Sequence, residues 1–243
     1  MFEIVLAQYR FTKRTWWCMS SLVQQVSPPD FTVKLQLHVS DPFMELNRRL
    51  ITTFEDRLNL VVVPWEDQRF FRRGYTRNLD LQQSRADWLL FLDPDSVLHP
   101  AFLQELACRP LDSQVVNGAT RTTMTDFFIG YKLVDAEEYQ DLPIEDAAAK
   151  CAAVKCLRRG RRGGIGFCQL LCPKAMRSRG LIYAQPDVDR RYDDSRGYAT
   201  PSDRYLRQIV CCKTWFDLPP LYHLQHWRRS QPDCPDHFKE VCH

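Results

Sequence analysis

Short apolar runs alternate with stretches of helical spacing through the first hundred residues. "EIVLAQY" reads as a strand. Thr12 is then placed to cap a helix whose Trp16, Met19, Val23 and Val26 recur near helical spacing as far as "SPPD". "TVKLQLHVSD" sets Val33, Leu35, Leu37 and Val39 against Lys34, Gln36 and His38 and closes on Asp41, the pattern of a half-buried strand. "LNLVVVP" predicts a third strand, "GYTRNLDLQQSRA" a helix and "WLLFLD" a fourth strand. The last of these is apolar without a break and stops before Pro94, as a strand buried on both faces does. Strands and helices in this alternation imply βαβ units, an α/β fold and a mainly parallel central sheet. Asp93 and Asp95 fall at the carboxyl end of the fourth strand, the edge where open α/β sheets bind ligands. As a pair they are either a turn with a helix cap or a cation site.

The 243 residues suffice for one large domain with an ample core. Charged residues make up 26% of the chain, yet the net charge is only +3, so nothing global calls for nucleic acid or membrane as partner. No apolar run approaches the roughly 20 residues of a membrane span, and "MFEIVLAQY" turns polar too soon for a signal peptide. The expected location is cytoplasmic. The ten cysteines are accordingly read as reduced thiols. Cys151, Cys156, Cys168 and Cys172 cluster but contain no CxxC spacing, which argues for small buried side chains over structural zinc.

Between the fourth strand and the C-terminus, "LPIEDAAAKCAAVKCLRRGRRGG" starts with Pro143 and acids and ends in arginines, an amphipathic helix whose charges complement its dipole. Its Arg158 to Arg162 end is either a solvated helix terminus or a cationic loop over phosphate. "TPSDRYLRQIV" predicts another helix start, with Thr200 or Ser202 as cap and Asp203 in the first turn.

The order strand, helix, strand ending in Asp41, strand, "TRNLDLQQSRADWLLFLDPD" resembles the nucleotide-binding half of GT-A fold glycosyltransferases, close to family 2. Arg77-Asn78 matches the family's Arg-Asn helix opening and Asp93-x-Asp95 its D-x-D; Asp80 stands where a glycine is common. "RRGGIGFCQLL", with Gly163 and Gly164, is similar to the turn and strand after the acceptor loop. "TPSDRYLRQIV" is similar to the helix start that bears the catalytic base, and "LYHLQHW" to the late histidine that completes the metal site. Some of these landmarks are shared with β-1,4-galactosyltransferases. The resemblance implies a single Rossmann-like GT-A domain over 1–243, with 1–100 the nucleotide-binding half and 101–243 the half for acceptor and metal.

The chemistry it implies is metal-dependent, inverting transfer of a hexose from a nucleotide sugar, most simply UDP-linked, to a carbohydrate or other hydroxyl. A divalent cation neutralises the charge that develops on the departing diphosphate. Asp95 is expected on the metal, Asp93 on ribose or on the metal through water, and His226 as a further ligand, with His223 competing. Imidazole beside carboxylate suits Mn²⁺ better than Mg²⁺. Gln8, Tyr9, Arg10 and Asp41 are expected to face the base, and Arg77 to contact the nucleotide or organise Asp41, with Asn78 beside it. Asp203 is the expected base, with Asp193 and Asp194 in reserve because the family's paired acids are here Ser202-Asp203. A nucleotidyltransferase of similar fold would carry glycines after the first strand, where "AQYRFTKRT" has none; a non-catalytic nucleotide-sugar-binding module remains as the other alternative.

Overall fold

The structure is a computed structural model that describes residues 1–10, 12–109, 119–123, 168–183, 213–217, 219 and 221–223. Its elements run β1 (Phe2–Gln8), α1 (Thr12–Val23), β2 (Phe31–His38), α2 (Met44–Phe54), β3 (Leu60–Trp65), a 3-10 turn (Gln68–Phe71), α3 (Arg73–Gln83), β4 (Trp88–Leu92), β5 (Ser96–Leu98), α4 (Phe102–Ala107), β6 (Ala119–Thr123), β7 (Cys168–Leu171), α5 (Pro173–Ser178), β8 (Lys213–Asp217) and β9 (Leu221–His223). Seven strands form one sheet in the order β3-β2-β1-β4-β7-β6-β8, and β5 pairs with β9 in a separate ladder. β1, β2, β3 and β4 are mutually parallel, as the alternation of strands and helices predicts; β7 runs antiparallel to both β4 and β6. Among the described residues no helix is long and apolar enough to cross a membrane.

Alternation along β4 shows how the sheet is covered. Leu90 and Leu92 join Ile4, Leu6, Val33 and Leu35 in a core closed by Met19 and Leu22 of α1, Leu50 and Phe54 of α2 and Phe102 and Leu106 of α4. Leu89 and Phe91 point the other way, to Val5, Leu81 of α3, Met176 of α5 and Tyr183. Both faces are therefore dry, which is why this strand needs five consecutive apolar residues.

The α3 side is held as much by polar groups as by apolar ones. Lys34, Gln36 and His38 were expected on a solvated face of β2; instead Gln36 and His38 are each 1% exposed, Gln36 bonded to Asp80 of α3 and His38 packed against Phe70 and Phe71 of the 3-10 turn. Asp80 supplies the partner, accepting Lys34 Nζ at 2.8 Å and Gln36 Nε2 at 3.0 and 3.1 Å. That is what the aspartate does where a glycine was expected. Arg177 of α5 donates to the Leu81 and Ser84 carbonyls at 2.6 and 2.9 Å, placing a cation on the last carbonyls of α3.

Three local expectations change. α1 ends at Val23, so Val26 lies beyond it and is 54% exposed. Gln25 turns back to donate to the Ser21 carbonyl at 2.9 Å, and the Val26 amide goes to the Pro100 carbonyl at 2.8 Å. Thr12 is the first residue of α1, and its hydroxyl is engaged with Gln8 and Asn47. α2 was not anticipated, although its buried Asn47, Leu50 and Phe54 have helical spacing. Cys18, Cys108, Cys168 and Cys172 are not in disulfides, in keeping with the expected thiols, and Cys108 is exposed. Cys151 and Cys156 lie outside the described residues.

Asp80 gives a test of the polar half of the core. Asp80→Ala, which strands buried Lys34 and Gln36, is expected to cost about 1–3 kcal/mol in urea unfolding. Burial raises the Asp80 pKa above its ordinary 3.8, with Lys34 opposing. The folded state therefore binds the proton more tightly, and this group's contribution is complete below pH 3.8 and declines as pH rises through the raised value. Asp80→Asn is expected to remove that decline from the stability profile.

Candidate donor site at the carboxyl edge of the sheet

Strand order 3-2-1-4 reverses direction between β1 and β4, so the loops leaving these two strands part and leave a crevice at their carboxyl ends. The loop after β1 carries Gln8-Tyr9-Arg10 and the loop after β4 carries Asp93-Pro94-Asp95.

Under the first loop lies a buried polar network. Gln8 is 0% exposed; its Nε2 donates to Thr12 Oγ1 at 3.0 Å, Asn47 Oδ1 at 3.3 Å and Asp41 Oδ2 at 3.4 Å, and its Oε1 accepts from Thr15 at 2.8 Å. Asp41, 3% exposed, accepts the Arg10 amide on Oδ2 at 2.8 Å and the Phe43 amide on Oδ1 at 2.9 Å. Arg10 has φ of 66°, a left-handed conformation that costs a non-glycine residue energy and that Asp41 holds in place. Gln8 and Asp41 were expected to face a base. The structure places them beneath the loop, where their hydrogen bonds hold its shape, with Tyr9 and Arg10 partly exposed above.

Tyr9 stands edge-on to Phe71, with ring centres 4.8 Å apart, and at 6.0 Å from His38; the Arg10 guanidinium lies 5.1 Å from the centre of the Tyr9 ring. The Ser40 amide donates to His38 Nδ1 at 3.2 Å. Tyr9 thus offers an aromatic wall, backed by rings that the sequence did not single out.

Asp93-Pro94-Asp95-Ser96 is a β-turn closed by the Ser96 amide on the Asp93 carbonyl at 3.0 Å, with proline in its second position. Two helices fix the turn from opposite faces. On one, Ser21 of α1 accepts the Leu98 amide at 3.1 Å, and Gln25 accepts the Leu103 amide at 2.9 Å and donates to the His99 carbonyl at 3.0 Å. On the other, Asp93 Oδ1 accepts from Arg73, in a short contact, and from Arg77 at 3.2 Å.

Arg77 is 6% exposed. It donates to Gln169 Oε1 at 2.9 Å and to the Tyr183 hydroxyl, and lies 4.8 Å from the centre of the Phe91 ring. It therefore organises Asp93 rather than Asp41. Asn78 accepts the Tyr183 amide at 2.6 Å, a bond that ties α3 to the segment after α5. Arg73, Gln169 and Tyr183 escaped the sequence reading; the only signal was the spacing of Arg73 and Arg77, four apart and so on one helix face.

Asp93 is thus spoken for by arginines, and Asp95, half-buried on the same turn, is the carboxylate that suits a hard cation. Its charge is felt beneath the turn: burial first, then Asp95, Cys168 and Asp93, drive the Cys18 thiol pKa well up. The β5–β9 ladder pairs Ser96 with His223, so the backbone of the C-terminal histidine segment passes the residue next to Asp95. Hard carboxylate oxygen with a histidine-bearing strand alongside fits Mn²⁺. Among the described residues no group of three or more His, Cys, Asp or Glu stands together. His226, Asp203, Asp193, Asp194, Gly163, Gly164 and Arg158 to Arg162 lie outside the described residues.

Neither a protein-family model nor a curated protein sequence matches the chain. Solved structures do. S. aureus TarS 1-349 in complex with UDP superposes with a TM-score of 0.62 at 15% identity, over 99% of this chain and 62% of that one. The fold is that of the GT-A glycosyltransferases. Other GT-A structures agree: the galactosyltransferase LgtC, in complex with donor and acceptor sugar analogues, gives 0.52 at 11% identity over 99% of this chain and 95% of that one, and the Streptococcus pneumoniae glycosyltransferase GlyE 0.55 at 12%, over 99% and 59%. The chain spans about three fifths of the length of the TarS 1-349 structures.

The buried cation that anchors this GT-A edge can be tested. Arg77→Lys keeps the charge but cannot fork between Asp93, Gln169 and Tyr183, and is expected to lower stability by about 2–4 kcal/mol in chemical unfolding. Asn47→Ala, which removes an acceptor shared by Gln8 and Thr12, is expected to cost about 1–2 kcal/mol.

Proposed function

We propose that the chain is a metal-dependent glycosyltransferase that moves a sugar from a UDP-linked donor to an acceptor hydroxyl with inversion, in the manner of family 2. The observation that carries this reading is the pairing of Ser96 with His223, which sets the C-terminal histidine segment alongside Asp95 at the switch point of a GT-A sheet. Solved structures of similar fold include TarS in complex with UDP-GlcNAc.

In this reading the base lies against Tyr9, on a loop that Asp41 and Gln8 keep in shape. Asp95, with His226 or His223, would hold Mn²⁺ or Mg²⁺, which when bound would supply positive charge to offset the charge of the departing diphosphate. Asp203 takes the proton from the acceptor hydroxyl while that oxygen attacks the anomeric carbon from the face opposite the diphosphate. Arg77 and Gln169 keep the turn rigid behind the reacting atoms, and so hold the donor in the orientation the attack needs.

Calorimetry of UDP with and without Mn²⁺ checks the metal half. Asp95→Ala is expected to abolish the Mn²⁺-dependent part of UDP binding and His226→Ala to weaken it. Wild-type binding in both variants would remove "DPD" from the metal site. For the base, Asp203→Asn is expected to keep donor affinity and lower transfer by about 10²- to 10⁴-fold. Unchanged turnover would shift the role to Asp193 or Asp194.

A further inference from the structure

Of the two aspartates on the turn after β4, one is crowded by arginines. The 3-10 turn and the first turns of α3 carry Arg69, Arg72, Arg73 and Arg77 against Asp67 and Asp93. Arg69 pairs with Asp67. Arg73 and Arg77 meet on a single oxygen of Asp93. Asp93 is thus shared by two guanidinium groups, one more than its single charge requires, on the turn that also bears Asp95.

The two arginines differ in position. Arg77 has an 8% exposed side chain and is committed to Gln169, Tyr183 and the Phe91 ring. Arg73 has a 21% exposed side chain, at the rim, in the first position of α3. Moving Arg73 off Asp93 leaves that aspartate still paired with Arg77, so neither charge is stranded by the exchange. Guanidinium binds phosphate in the same forked, charge-assisted way as it binds carboxylate.

We propose that Arg73 is a diphosphate-binding residue, held on Asp93, that gives the chain a hold on a nucleoside diphosphate even without a divalent cation. This deepens the donor-binding reading and rests on it. It also assigns the two aspartates of "DPD" different partners: Asp95 answers to the cation, and Asp93 stores an arginine for the phosphates.

The test compares UDP with uridine, in EDTA and in Mn²⁺, for wild type and Arg73→Ala, by calorimetry or ligand-observed NMR. In EDTA the wild type is expected to bind UDP at least about tenfold more tightly than uridine, the size of one charge-assisted contact. Arg73→Ala is expected to erase that advantage while leaving uridine affinity unchanged, and Arg73→Lys to restore part of it. Equal binding of UDP and uridine by the wild type in EDTA, with UDP favoured only in Mn²⁺, would overturn the role of Arg73 and leave the donor site standing. So would an advantage that survives Arg73→Ala. A parallel loss of uridine binding in Arg73→Ala would make the residue a structural support and overturn the proposal as well. If the wild type binds neither ligand in either condition, the donor reading fails and this inference with it.

Discussion

A guanidinium that is 6% exposed must have its charge answered inside the protein, and at Arg77 this requirement draws three separate parts of the chain to one point. Asp93 comes from the end of β4, Gln169 from β7, and Tyr183 from the stretch after α5. The Phe91 and Tyr183 rings flank the guanidinium, at 4.8 and 5.0 Å from their centres. Tyr183 in turn donates to Gln169 Oε1 at 2.5 Å and is tied to α3 through Asn78. The antiparallel addition of β7 beside β4 is what brings Gln169 within reach, pairing it with Phe91. Remove the cation and the helix, the turn and the added strand lose their common anchor.

The functional edge follows from that anchor and its counterpart on the other face. α1 fixes the segment after Asp95 through Ser21 and Gln25, while α3 fixes Asp93, so the turn between them has little freedom. Buried amides and carboxylates likewise set the loop after β1, through Asp41, Gln8 and Asn47. Two loops from adjacent strands are thus held rigid by separate networks, with the half-exposed groups Tyr9, Arg10, Arg73 and Asp95 left at the crevice between them. Such supports keep reacting groups in place at low cost when a ligand arrives.

Much of this was legible in the sequence, for identifiable reasons. The unbroken apolar run of β4 is a strong signal because a strand covered on both faces has little room for polar residues, and the position of "DPD" after it followed at once. Polar residues misled where burial pairs them with one another. Lys34 and Gln36 look like part of a solvated face until α3 brings Asp80 above them, and no local pattern announces a partner 44 to 46 residues away. Gln8 and Asp41 lie at the expected edge, but their part in shaping the loop was hidden, since spacing places a side chain at an edge without showing which way its hydrogen bonds run. The β5–β9 ladder was out of reach for a similar reason: three-residue strands carry almost no periodicity, and this one is made by residues 96–98 and 221–223.

The central claim is that the crevice between β1 and β4 holds a nucleotide diphosphate with a divalent cation on Asp95. A crystal structure of the protein grown with UDP and Mn²⁺, with anomalous scattering recorded at the manganese edge, tests it most directly. The account predicts one manganese peak on the Asp95 carboxylate with the diphosphate beside it and the uracil against Tyr9. A manganese peak away from Asp95, or UDP bound outside the β1 and β4 loops, would contradict it.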